Sequence, residues 1–140
     1  MPNVLLTGAT GYIASHTWLA LQEAGHDVVG IDDFSNSSPA VLERLQRLSG
    51  SAPVFERVDV CDEAALRRVF DAHDIDAVVH FAALKAVGES RQRPLDYYST
   101  NIGGLLTLCR VMRDRGCRTL VFSSSATVYG EAPRQPIRED

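Results

Sequence analysis

The run Thr7-Gly8-Ala9-Thr10-Gly11-Tyr12-Ile13-Ala14 sets two glycines three residues apart, between the apolar stretch Val4-Leu5-Leu6 and a segment with helical periodicity. Gly8 permits a tight turn there, and Gly11 lets backbone amides come close to a phosphate at the start of the helix. The spacing is Gly-x-x-Gly-x-x-Ala, not Gly-x-Gly-x-x-Gly, and a glycine pair alone signals no more than a turn. An acid at the end of the next strand changes its weight. Asp32 stands 24 residues after Gly8, at the tip of Val28–Ile31. A carboxylate in that place accepts hydrogen bonds from a ribose diol and repels a 2′-phosphate, and Asp33 adds a second negative charge. A turn-forming aspartate is the bland alternative. Asp59, with Val60, follows the third apolar run, where it would accept from the exocyclic amine of an adenine; helix entry is the alternative, and Asp62 already serves it. Polar residues collect once more at Ser123-Ser124-Ser125, which by themselves read as a polar strand end.

The elements that must position these residues alternate along the whole chain. Strands are expected at Val4–Leu6, Val28–Ile31, Val54–Val58, Ala77–Phe81 and Leu120–Phe122. Between them the periodicity predicts helices over Tyr12–Ala24 with Gly25 as a left-handed cap, from Pro39 at the first helical position to Leu48, over Glu63–Ala72 behind an Asp62 cap, and from about Leu95 to Arg115 with Gly116 ending it. In the third helix Leu66, Val69 and Phe70 should face inward. Strand–helix alternation implies right-handed crossovers and a parallel sheet, a Rossmann-type doubly wound α/β fold of about five strands. Ligands of such sheets bind beyond the carboxyl ends of the strands, where Gly8, Asp32, Asp59, Phe81-Ala82-Ala83 and the serine run all fall.

Composition excludes several other classes. A net charge of -4 on 140 residues argues against non-specific nucleic-acid binding, and the Arg110, Arg113, Arg115, Arg118 cluster suits the negative end of a helix dipole. Cys61, Cys109 and Cys117 are odd in number and lack metal-type spacing, so reduced thiols and no metal site are expected. There is no positively charged leader, and no apolar run approaches the roughly 18 residues that span a bilayer. A cytoplasmic protein is the expectation. Basic usage is lopsided, with thirteen arginines and one lysine, Lys85; codon bias with a single survivor and a specific need for an ammonium are both open on composition alone.

Four stretches carry a resemblance: TGATGYIASH (Thr7–His16), DDFSNS (Asp32–Ser37), HFAALKAVGES (His80–Ser90) and SSSATVYG (Ser123–Gly130). With them the chain resembles the N-terminal part of the UDP-glucose 4-epimerase branch of the extended short-chain dehydrogenase/reductase family. The first stretch is generic to the superfamily; the last two are far more specific. The resemblance implies NAD as cofactor, with Tyr12 and Ile13 at the pyrophosphate and Asp32, Asp33, Phe34, Ser35, Asn36 and Ser37 around the adenosine ribose. It implies Asp59 and Val60 framing the adenine, and Phe81, Ala82, Ala83, Leu84 and Lys85 lining the cofactor, which gives the lone lysine a role. Asn101 resembles a cofactor-contacting asparagine; a helix-interior residue satisfied by backbone is the alternative. Ser125 matches the catalytic serine, bonded to the sugar 4-hydroxyl while a tyrosine base takes its proton, and Thr127 is implied beside the UDP-sugar substrate. The resemblance also implies a homodimer, with the Leu95–Arg115 helix pairing in a four-helix bundle.

Two departures stand out. Ala14 replaces a family glycine, adding a methyl where helix and strand pack closely. The family's Tyr-x-x-x-Lys base is missing: Phe81 lies four before Lys85, and Pro133 four after Tyr129. We therefore expect one NAD-binding domain over 1–140 without its substrate domain, inactive alone, and about 180 further residues in a full enzyme. A uronate epimerase, a decarboxylase or a non-catalytic nucleotide-binding fragment are the alternatives. A 4,6-dehydratase is disfavoured, because Ala126-Thr127 stand where it carries Asp-Glu.

Overall fold

The computed structural model describes residues 2–35, 37–83 and 91–123. Five parallel strands form one sheet: β1 (Asn3–Thr7), β2 (Asp27–Asp32), β3 (Val54–Arg57), β4 (Ala77–His80) and β5 (Thr119–Phe122), in the order β3-β2-β1-β4-β5. The chain winds outward from β1 to β3, returns to the other side of β1, and winds outward again. Right-handed crossovers running in opposite directions put their helices on opposite faces. Helices α1 (Tyr12–Glu23) and α2 (Ala40–Ser49) accordingly share one core layer with Leu6 and Val28, while α3 (Glu63–Ala72) and α5 (Gly104–Arg115) share the other with Leu5, Val29, Ile31 and Val78. Consecutive residues such as Leu5 and Leu6 enter different layers because side chains alternate across a strand. Leu66, Val69 and Phe70 are buried, as their spacing predicts.

Helix boundaries follow local chemistry. Asp62 caps α3, its Oδ1 accepting from the Ala65 N–H at 3.1 Å. Pro39 is the N-cap of α2 and not its first residue; Ser38 Oγ accepts from the Ala40 N–H at 3.2 Å. The strands expected to reach Val58 and Phe81 end one residue earlier, at Arg57 and His80. The single long helix expected from Leu95 to Arg115 is interrupted: α4 (Pro94–Tyr98) passes through a π turn, Ser99–Gly103, into α5. The arginine cluster is engaged by more than a helix dipole, since Arg110 pairs with Glu63 and Arg115 with Asp71 across to α3.

One contact fixes α1 against the sheet. Trp18 is fully buried, and a Cβ built at Gly30 would overlap its six-membered ring and come within 2.8 Å of the Ala9 methyl. Ala14, also buried, packs in the same layer, so the methyl that departs from the family pattern is accommodated. Gly30→Ala should therefore cost about 1–3 kcal/mol by over-packing. Urea unfolding followed by tryptophan fluorescence checks this; an unchanged midpoint would show that Trp18 has another place to go.

Candidate functional site

A cleft of about 420 Å³ opens at the carboxyl ends of the strands, over the gap between β1 and β4 where the winding reverses. Gly8, Gly11, Tyr12, Ile13, Asp32, Asp33, Ser35, Ser37, Asp59, Val60, Phe81, Ala82 and Ala83 all line it. Of the other residues singled out in the sequence, Phe34 and Asn101 are not among its walls. Asn36, Leu84, Lys85, Ser125 and Thr127 lie outside the described residues. Tyr97 and Thr100 form the wall near Asn101, and Val58 and Ala14 complete the lining. The π turn explains why Tyr97 and Thr100 were missed. An inserted residue rotates all that precedes it by about 100°, so α-helical spacing counted back from α5 does not carry to its start.

The floor is built around one hydroxyl. Thr7, fully buried at the end of β1, accepts from the backbone N–H groups of Phe81 and Ala82, both at 3.1 Å. Its two acceptor positions being used, its single proton goes to Nδ1 of buried His80, 2.7 Å away. Gly8, next in the chain, is at φ 65°, and a Cβ there would lie 2.8 Å from the Ala82 nitrogen and 2.9 Å from the Phe81 carbonyl carbon. Only glycine lets the two strand exits meet this closely.

The rim carries the charge. Asp32 Oδ2 accepts from the Thr10 N–H at 3.2 Å and Oδ1 from the Phe34 N–H at 2.9 Å, so the carboxylate is oriented from both sides. Thr10 is tied in turn to the Ser37 hydroxyl. At the head of α1 no side chain caps the helix and no acid occupies the first turn, leaving its N–H groups to an anion. Asp59 turns its Oδ1 to the Cys61 N–H at 2.9 Å. The Cys61 thiol donates to the Ser99 carbonyl at 3.7 Å, joining the Asp59–Val60 wall to the π turn. Burial first, and the Asp59 carboxylate next, push this thiol above its ordinary pKa, so it is a protonated donor and not a thiolate nucleophile. Gly104 packs here, where a Cβ would come within 2.8 Å of Val60. Among the described residues no group of three metal-ligating side chains assembles.

Comparison with known proteins gives this geometry its relatives. The family model for the NAD dependent epimerase/dehydratase family matches residues 4–140. The chain belongs to that family. It is 51% identical to the mouse UDP-glucose 4-epimerase over 145 residues, covering 99% of this chain and 42% of that protein. The Neisseria meningitidis UDP-glucose 4-epimerase is 47% identical, over all of this chain and 41% of its own. Among solved structures, the Stenotrophomonas maltophila UDP-glucose 4-epimerase with bound NAD superposes with a TM-score of 0.93 at 49% identity, covering 99% of this chain and 41% of that one. The Bifidobacterium longum enzyme in complex with NAD+ and UDP superposes with a TM-score of 0.92 at 46% identity, with the same coverage. The chain thus spans about two fifths of the length of the relatives it matches, and the Rossmann-type fold expected from the sequence is the fold of that part.

The hydroxyl at the floor is open to a direct test. Thr7→Val keeps the shape but removes the hydroxyl that accepts from the Ala82 N–H and bonds His80, while the Phe81 N–H keeps the Thr7 carbonyl at 3.2 Å; an unmade buried hydrogen bond costs about 1–3 kcal/mol. We expect a total loss of about 2–4 kcal/mol in urea unfolding, given partial relaxation, while Thr7→Ser stays near wild type. A valine variant as stable as wild type would remove Thr7 from its place as organiser of the floor.

Proposed function

We propose that this chain is the NAD-binding domain of a UDP-glucose 4-epimerase, holding the dinucleotide across the strand ends with its pyrophosphate at the head of α1. The observation that carries the reading is the Asp32 carboxylate. It lines the cleft, is oriented by two backbone N–H groups, and has about two of its four acceptor sites left for a ribose diol. Gly8 and Gly11 keep the approach to the α1 amides clear of side chains, and Asp59, Val60 and Thr100 form a slot of the kind that takes an adenine. NAD bound there would supply a reversible hydride acceptor; this chain's part is to bind and orient it, and to keep its face dry with Phe81, Ala82 and Ala83. The UDP-sugar, with Ser125 and Thr127 beside it and Lys85 toward the cofactor, belongs to the same proposal, and epimerisation to a protein that also brings a Tyr-x-x-x-Lys pair. The relatives' activity on UDP-glucose and NAD+ complexes support this reading.

Titration calorimetry with NAD+ and NADP+ tests it. NAD+ should bind at least tenfold tighter, because a 2′-phosphate would face Asp32 and Asp33, and a like charge at close range readily costs the roughly 1.4 kcal/mol that tenfold represents. Asp32→Ala should weaken NAD+ and narrow the difference. Equal affinities in the wild type would sink the assignment.

A second expectation concerns partners. On α4, the π turn and α5, Leu95 (78% exposed), Tyr98 (63%), Ile102 (52%) and Leu106 (55%) form an outer stripe opposite the buried Leu108, Val111 and Met112. Each large apolar side chain gains about 1.5–3 kcal/mol from burial. We propose that a second copy of the chain covers this stripe. Sedimentation velocity should show a concentration-dependent dimer that Leu106→Glu dissociates; a monomer at every concentration would refute it.

A further inference from the structure

Arg57 ends β3 in register with Asp32, which ends β2. Register partners on neighbouring strands present their side chains on the same face, about 4.8 Å apart along the sheet. A guanidinium therefore stands one strand away from the carboxylate assigned to the ribose, yet the two form no ion pair, and Arg57 is exposed with no salt-bridge partner among the described residues. It lies instead over the ring of Phe34, its guanidinium carbon 5.5 Å from the centroid. Phe34 is anchored against Phe55, with ring centroids 5.2 Å apart. Its backbone is at φ 62°, the one positive φ outside glycine among the described residues, in a region that bulky side chains rarely adopt. The same conformation aims the Phe34 N–H at Asp32 Oδ1. Backbone strain kept in place by surrounding packing is a mark of a positioned site.

We propose that Phe34 is a cofactor-specificity residue. Its ring engages Arg57 and withholds that cation from the ribose edge of the cleft, so that a 2′-phosphate meets Asp32 and Asp33 with no compensating charge. The proposal rests on the dinucleotide reading above. Without Phe34, the register leaves the Arg57 guanidinium one strand from the ribose carboxylate, and a nearby arginine is the group that accommodates a 2′-phosphate. The ring turns a latent NADP feature off while its amide orients the NAD-reading carboxylate.

Phe34→Leu separates the two roles, because leucine keeps an apolar contact for Phe55 but offers no ring face to a cation. Dissociation constants for NAD+ and NADP+ are measured for wild type, Phe34→Leu, Arg57→Gln and the double variant, with thermal melts to verify folding. A cation–π contact at an exposed site corresponds to about a two- to fivefold factor, so NADP+ should tighten by about that much in Phe34→Leu. The readout is the ratio of the NADP+ to the NAD+ dissociation constant in each variant, because Phe34 also holds Asp32 through its N–H. The double variant should return NADP+ to its wild-type value, and Arg57→Gln alone should leave it unmoved. If leucine lowers the melting temperature, Phe34→Met, equally without a ring, takes its place. Unchanged NADP+ affinity in the ringless variant, or a gain that persists without Arg57, would overturn the proposal while NAD+ binding by the wild type still upheld the dinucleotide site. A wild type that binds neither dinucleotide would overturn both.

Discussion

Where β1 and β4 leave the sheet side by side, one strand must turn into a helix and its neighbour into the wall of a cleft, with almost no space between them. The Gly8 turn occupies that space against the backbone of Phe81 and Ala82, at distances that admit no Cβ. Two strand ends pressed together this way bury the N–H groups of Phe81, which still reaches the Thr7 carbonyl, and of Ala82. The Thr7 hydroxyl takes up both and passes its own proton to His80. Every other feature of the site is referred to this junction. The α1 amides point into the cleft because Gly8 turns where it does, and Phe81 to Ala83 line it because they are held to Thr7.

The charges around the junction are sorted by what each end of a dinucleotide would need. Positive potential comes from the open head of α1, with no acid in its first turn. Carboxylates stand further out, at the tips of β2 and beyond β3, where hydroxyl and amine donors would lie. Aspartates so placed also hold the loops around them. Asp32 ties the glycine turn to the β2 loop through Thr10 and Phe34, and Asp59 orders the turn that carries Cys61. The carboxylates of the cleft are therefore held by the same bonds that shape the loops, which is how a cleft is preorganised.

The outer stripe of α4, the π turn and α5 is exposed and apolar, as are Val121 and Phe122 on β5. The inner face of the same helix, in contrast, is a finished core. The two faces lie on opposite sides of the helix axis, and both are apolar.

Much of this was legible before any coordinates. The strand–helix alternation determined the fold class, because residues with period 2 and period 3.6 cannot exchange places without exposing their apolar side chains. Gly8, Asp32, Asp59 and Phe81 to Ala83 could be picked out because ligands of wound sheets meet the ends of strands, and strand ends are marked by where apolar runs stop. What the sequence did not display are the cross-strand partners. Nothing in the string joins Thr7 to His80, Gly30 to Trp18, or Arg57 to Phe34, for these contacts depend on register and on which face each residue takes once the sheet is wound. The π turn was equally hidden, since one extra residue in a helix leaves composition and periodicity nearly unchanged while rotating everything before it. The residue types that can bind a dinucleotide were written in order along the chain; which of them touch, and which proton goes where, was decided only when strands distant in sequence became neighbours and their buried polar groups had to find one another.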